Sequence, residues 1–63
     1  MYFVEYYNGN HFRKVKSNYT GKPLRFAGIK EAREIMKQMY SNGYNSRIIK
    51  EETKTVVEGM SIL

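Results

Sequence analysis

A two-layer α+β fold with element order ββαββ follows from three features of the sequence. Asn8-Gly9 is flanked by two aromatic and β-branched runs, YFVEYY and HFRKVKSNY. An apolar stripe with helical spacing runs through GIKEAREIMKQMYSNG. Two further β-rich runs, YNSRIIKEE and TKTVVEG, follow it. One helix and four strands predict a four-stranded, mainly antiparallel sheet with the helix packed on one face. The 63 residues suffice for a single small domain, 1–63.

The first hairpin is set by Asn8-Gly9, a pair that suits a two-residue type I′ turn because both central residues need positive φ. Such a turn places Tyr7 opposite Asn10, Tyr6 opposite His11, Glu5 opposite Phe12, Val4 opposite Arg13 and Tyr2 opposite Val15. Opposed residues share a sheet face. One face then carries Tyr2, Val4, Tyr6 and Val15, and reads as the core side. The other carries Phe3, Tyr7, Phe12, Lys14 and Lys16. A three-residue turn would instead pair Phe3 with Val15 and Glu5 with Arg13, and would scramble this division.

Gly21 and Pro23 punctuate residues 20–27 as a connecting loop. Its Gly-Lys pair is no phosphate loop, since Pro23 stands where Ser or Thr is needed. In the helix, Ala32, Ile35, Met36, Met39 and Tyr40 repeat at the spacing of one buried face. Gly28 serves as N-cap, with Glu31 at the third helical position facing the positive end of the dipole. Asn42-Gly43 stops the helix, because glycine takes the left-handed conformation at little steric cost. About 14 residues give a rod of about 21 Å, long enough to cross a small sheet. For the second hairpin, a turn at Glu52-Thr53 pairs Glu51 with Lys54, Ile49 with Val56, Ile48 with Val57 and Arg47 with Glu58. The tail MSIL is expected to extend the last strand or pack over the core. Short connections favour the strand order 2-1-3-4.

Charge is unevenly placed. The net charge is +5, yet residues 31–63 hold five bases and five acids and residues 1–5 only Glu5. The excess therefore comes from residues 6–30, where Arg13, Lys14, Lys16, Lys22, Arg25 and Lys30 stand without an acid. Such asymmetry points to an anionic partner, against the plainer alternative of a solubilising surface.

One helix covers only one face of a sheet. Phe3, Tyr7, Phe12, Ile49 and Val56 fall on the other face, and are expected to leave an exposed aromatic and aliphatic patch of the kind that marks an interaction site.

Catalytic and metal chemistry find little support. There is no Cys and no Asp, and a single His. His11 stands beside the hairpin tip with nothing to orient it. Glu31 and Glu34 read as capping and salt-bridge residues, and Met36 and Met39 as packing. Adjacent Glu51 and Glu52 are too few ligands for a calcium loop. No enzyme activity, metal or cofactor is expected. No apolar run approaches the roughly 18 residues of a membrane span, and the N-terminus lacks a signal-peptide pattern. Asn18-Tyr19-Thr20 matches a glycosylation acceptor only by chance on that basis. The absence of cysteine fits a cytoplasmic protein.

Two functions are compatible with these features. The first is a protein–protein binding module, such as a small inhibitor or adaptor, with a homodimer as one form of it. The sheet patch would make the contact and the basic segment would steer it to an acidic partner. The alternative is a nucleic-acid-binding module built on residues 7–30. Phe12, Arg13, Lys14, Lys16, Lys22, Arg25 and Lys30 are its contacts, with Tyr7 and Phe3 beside them. Neutralising about four or five phosphates predicts a log–log salt slope of about −3 to −5.

Overall fold

A computed structural model describes residues 1–61. The elements are β1 (Tyr2–Tyr7), β2 (Phe12–Lys14), α1 (Ile29–Ser41), β3 (Ser46–Lys50) and β4 (Thr55–Met60). The strands form one antiparallel sheet in the order β2-β1-β3-β4. The expected two-layer α+β fold is therefore the observed one. Among the described residues, no helix is long and apolar enough to cross a membrane.

The first hairpin departs from the expected register by two residues. Tyr7 pairs with Phe12, Tyr6 with Arg13 and Glu5 with Lys14. The connection is a four-residue loop, 8–11, closed by the Asn8 amide donating to the His11 carbonyl at 3.0 Å. The cause is the Asn8 side chain. Its Oδ1 accepts hydrogen bonds from the backbone N–H of Asn10 and of His11, both at 2.9 Å, and this Asx turn replaces the tight turn. Only Gly9 has positive φ there, at 103°, so the type I′ requirement of two such residues is not met. Because side chains alternate with period two, a slip of two leaves every residue of the paired strands on its expected face. Lys16, beyond the end of β2, does not keep its expected place beside Lys14 and instead lies with Tyr6, Arg13 and Val15.

The second hairpin keeps Ile49 opposite Val56 and Lys50 opposite Thr55. Its connection is also four residues long, 51–54, with Lys54 at φ 56° and its N–H bonded to the Lys50 carbonyl. A register shift between Ile48 and Ile49 leaves Val57 as the extra residue, so Ile48 faces Glu58 and Arg47 faces Gly59. Three expected pairs are corrected, two by the bulge and the third, Glu51 with Lys54, by the longer loop that holds both residues. Ile48 does not face Val57, Arg47 does not face Glu58, and Glu51 does not face Lys54. The bulge turns Glu58 to the helix side, where it takes Arg33, while Arg47 takes Glu5 and Glu51 takes Arg25.

The helix ends as its residues dictate. Gly28 is the N-cap, and the Glu31 carboxylate folds back over it. At the other end Gly43 has φ 94°. Tyr44 N–H bonds the Met39 carbonyl at 3.1 Å and Gly43 N–H the Tyr40 carbonyl at 3.0 Å, a Schellman motif that satisfies the last turn. The helix buries Ala32 and Met36 against Val4 and Ile48, with Tyr2, Val15, Phe26, Ile29, Ile35 and Met60 around them. Ser46, also buried, donates its Oγ proton to the Met36 carbonyl at 2.9 Å. Met60 thus both ends β4 and packs on the core. Ile62 and Leu63, the rest of the expected tail packing, lie outside the described residues.

The helix lies off-centre. It contacts β1, β3 and β4 but not β2. Beyond β2 the chain stays tied to the sheet by Val15 N–H to the Val4 carbonyl at 2.8 Å and by paired bonds between Tyr2 and Phe26. Between these ties residues 16–23 form a small excursion, bridged at Lys16 and Pro23.

Candidate functional site

The face without a helix is less open than its sequence suggests. Along one row Lys14, Glu5 and Arg47 lie side by side, and along the next Phe3, Ile49 and Val56. The charged row reaches over its neighbours. Lys14 Nζ sits 4.1 Å from the Phe3 ring centroid, and the Arg47 guanidinium 3.6 Å from that of Phe12. Arg47 Nε also donates to Glu5 Oε1 at 2.8 Å. Phe3 is accordingly only 9% exposed and Ile49 8%. This corrects the expectation that both belong to an exposed patch: aliphatic stems of charged side chains roof them, and cation–π contacts hold the roof. What stays open is Tyr7, packed on Phe12 at 5.2 Å, Phe12 itself, and Val56 at 53%.

The basic segment is also divided by the fold. Arg25 makes a two-pronged contact with Glu51, its Nε at 3.0 Å from Oε1 and Nη2 at 3.1 Å from Oε2. Lys30 lies on the outer helix surface among Glu31, Arg33, Glu34 and Lys37. Lys14 is committed to Phe3. Arg25 and Lys30 therefore fall out of a continuous cationic track, because a carboxylate 26 residues away in sequence neutralises the first and the second points into a mixed-charge surface.

Arg13 and Lys16 do come together. Because the helix stops short of β2, a groove of about 390 Å³ opens beside it, lined by Tyr6, Arg13, Lys14, Val15, Lys16, Asn18, Met39 and Tyr44. No acid lines it. Among the described residues, no carboxylate lies within ion-pair distance of Arg13, Lys16 or Lys22. By contrast Glu5, Glu51, Glu52 and Glu58 each hold a cation. The helix's negative end borders the groove, but its last carbonyls are already bonded by the Schellman amides, which blunts their field.

Two tyrosines that sequence reasoning left out bear on the site: Tyr44 lines the groove, and Tyr19 follows Asn18, which also lines it. Tyr44 packs edge-on against Tyr6, with centroids 5.2 Å apart and planes at 70°. It is reachable only because the Schellman turn directs it back over Tyr6. Tyr19 is fully exposed, at 100%, in the turn that follows Lys16. That turn is well braced: Ser17 Oγ accepts from the N–H of Tyr19 and Thr20, and Thr20 Oγ1 from that of Lys22. The signal for Tyr19 was present in its surroundings of Ser, Asn, Thr and Gly, residues of a local turn.

His11 is exposed in the hairpin loop. Among the described residues, no three of His, Asp, Glu and Cys gather as they would around a metal ion.

The ion pair between α1 and β4 gives the fold a pH dependence. Hydrogen bonds from Arg33 Nε to both oxygens of Glu58, each 2.9 Å, and then the guanidinium charge, hold the Glu58 carboxyl below its ordinary value and push Arg33 up. The N-terminal ammonium does the same for Glu52 through a 2.7 Å hydrogen bond. Folded values below unfolded ones mean stability that is fully present above the ordinary glutamate range and lost as pH falls through it. The melting temperature should therefore drop on acidification below about pH 4.5. Glu58→Gln should melt lower at neutral pH and show a shallower acid decline. An unchanged acid limb in that variant would contradict the assignment.

No family model matches the chain, and neither the curated proteins nor the solved structures provide a match.

Proposed function

We propose that this chain is a small, non-enzymatic binding module that grips a nucleic-acid strand along the β2 groove. One observation carries the proposal. Arg13 and Lys16, which make no ion pair, line one groove that contains no acid, and the Lys16–Pro23 bridge brings unpaired Lys22 in beside them. A cluster of like charges repels itself, and an anionic partner relieves that repulsion while releasing its own counterions. Arg13 supplies a planar fork suited to phosphate oxygens, and Lys16 a mobile point charge. A cytoplasmic location belongs to the same proposal, since nucleic acid is met there.

With Arg25 and Lys30 diverted, about three or four phosphates are neutralised. At about 0.7 per phosphate for a single strand, the affinity should fall with salt at a log–log slope of about −2 to −3. Fluorescence anisotropy of a labelled oligonucleotide over a salt series measures it. A slope near zero would remove the proposal.

A protein contact with a second copy of the chain is the other function with an observation in its favour. β4 is an edge strand, and its Val56 and Val57 are both exposed. Edge strands of this kind pair with one another unless they are blunted, and here the bulge is the blunting device. Sedimentation equilibrium at rising concentration would reveal such a dimer, and Val56→Lys should disperse it. A monomer at all concentrations would exclude this contact.

A further inference from the structure

We infer that the β2 groove is built for single-stranded nucleic acid, with unpaired bases stacked on Tyr44 and Tyr19 while Arg13 and Lys16 hold the phosphates. The inference rests on the function proposed above and names its substrate class. Four observations carry it.

First, the groove is small. Its volume of about 390 Å³ is near the low end of the range for small-ligand sites, about 300–1,000 Å³. That is the scale of a nucleotide unit, and β2, only three residues long, is no ribbon for a duplex groove. Second, Tyr44 forms part of its lining, 38% exposed and braced by a T-shaped contact with Tyr6. A braced ring loses little freedom when a base stacks on it.

Third, Tyr19 is fully exposed although its backbone is fixed by Ser17 and Thr20. An aromatic side chain presented on a rigid turn, between Asn18 and the lysines at 16 and 22, is a second stacking surface. Its neighbour Asn18 lines the groove and can both donate to and accept from a base edge. Fourth, the combination is idle on a duplex, whose base faces are already stacked. A purely electrostatic grip would favour the duplex, because its charge density and counterion release are greater. Preference for the single strand is therefore a signature of the tyrosines.

The test is fluorescence anisotropy at one salt concentration with a short labelled single strand, the same sequence as a duplex, and labelled poly-glutamate. The single strand should bind tightest. Tyr19→Ser should weaken it roughly fivefold or more, the scale of one lost base stack, with the melting temperature unchanged, since that ring is fully exposed. Tyr44→Leu should weaken it similarly and Tyr44→Phe should not. If Tyr44→Leu does not fold, the ring protons of Tyr44 in the unaltered protein should shift upfield on adding the single strand. Equal or tighter binding of the duplex, or full affinity in Tyr19→Ser and Tyr44→Leu alike, would overturn the inference and leave the β2 groove as a charge-only nucleic-acid site. Binding of poly-glutamate as tight as that of the single strand would overturn it in favour of an acidic protein partner. No binding of either nucleic acid would overturn the proposed function itself.

Discussion

Ile48→Ala is expected to remove a large share of the fold's stability and to lower its urea midpoint steeply. Ile48 has no exposed surface and lies in the central strand β3, between Val4 and Glu58 and beneath Ala32 and Met36. Truncating a fully buried isoleucine costs about 2–5 kcal/mol, from lost transfer energy and the cavity left behind. A 63-residue chain has a total stability of only about 3–9 kcal/mol, and none of it comes from disulfides here. One methyl-rich side chain is thus comparable with the whole. Val56→Ala, on the outer strand and largely exposed, should cost less than about 1 kcal/mol. Urea titrations of the two variants side by side measure the contrast. Equal midpoints would mean that the core does not centre on β3.

Arg13→Gln combined with Lys16→Gln should produce the largest loss of binding. The counterion contribution of two phosphate contacts to a single strand scales as salt to the power of about −1.4. At about 0.1 M salt the double variant should therefore bind roughly 25-fold more weakly, and its salt slope should be shallower by about 1.4. Both residues are exposed and make no ion pair, so the melting temperature should hold or rise slightly as self-repulsion is relieved. Arg25→Gln is the informative control. It should change binding little and stability more, because its guanidinium already serves Glu51. The reverse ranking would return Arg25 to the interface and remove the groove from it.

The sequence carried much of this architecture and less of the site. Alternation in YFVEYY assigned Val4 inward and Phe3 outward even though the hairpin register was two residues off, since only an odd slip exchanges faces. The Asn-Gly pair marked the turn correctly but not its length, which depends on where the Asn8 side chain bonds. The bulge at Val57 left no trace, because two adjacent valines suit either a continuous or a bulged strand. Its consequence was large: it moved Glu58 to the helix side and freed Arg47 to cover Phe12.

Phe3 and Ile49 could not be recognised as roofed, since the roof comes from Lys14, Glu5 and Arg47, brought together by strand pairing 42 residues apart. Likewise the charge surplus of residues 6–30 was plain, but its division was not. Which cations remain without a partner depends on where Glu51 ends up, and the groove exists only because the helix sits over β1, β3 and β4.

The central claim is that the partner meets the groove beside β2 and not the face left bare by the helix. Amide-shift NMR with a short single-stranded oligonucleotide, at low and high salt, tests it most directly. Salt-sensitive shifts should concentrate on Arg13, Lys16, Asn18, Tyr19 and Tyr44. Shifts concentrated instead on Tyr7, Phe12, Arg47 and Val56, with the groove silent, would contradict it.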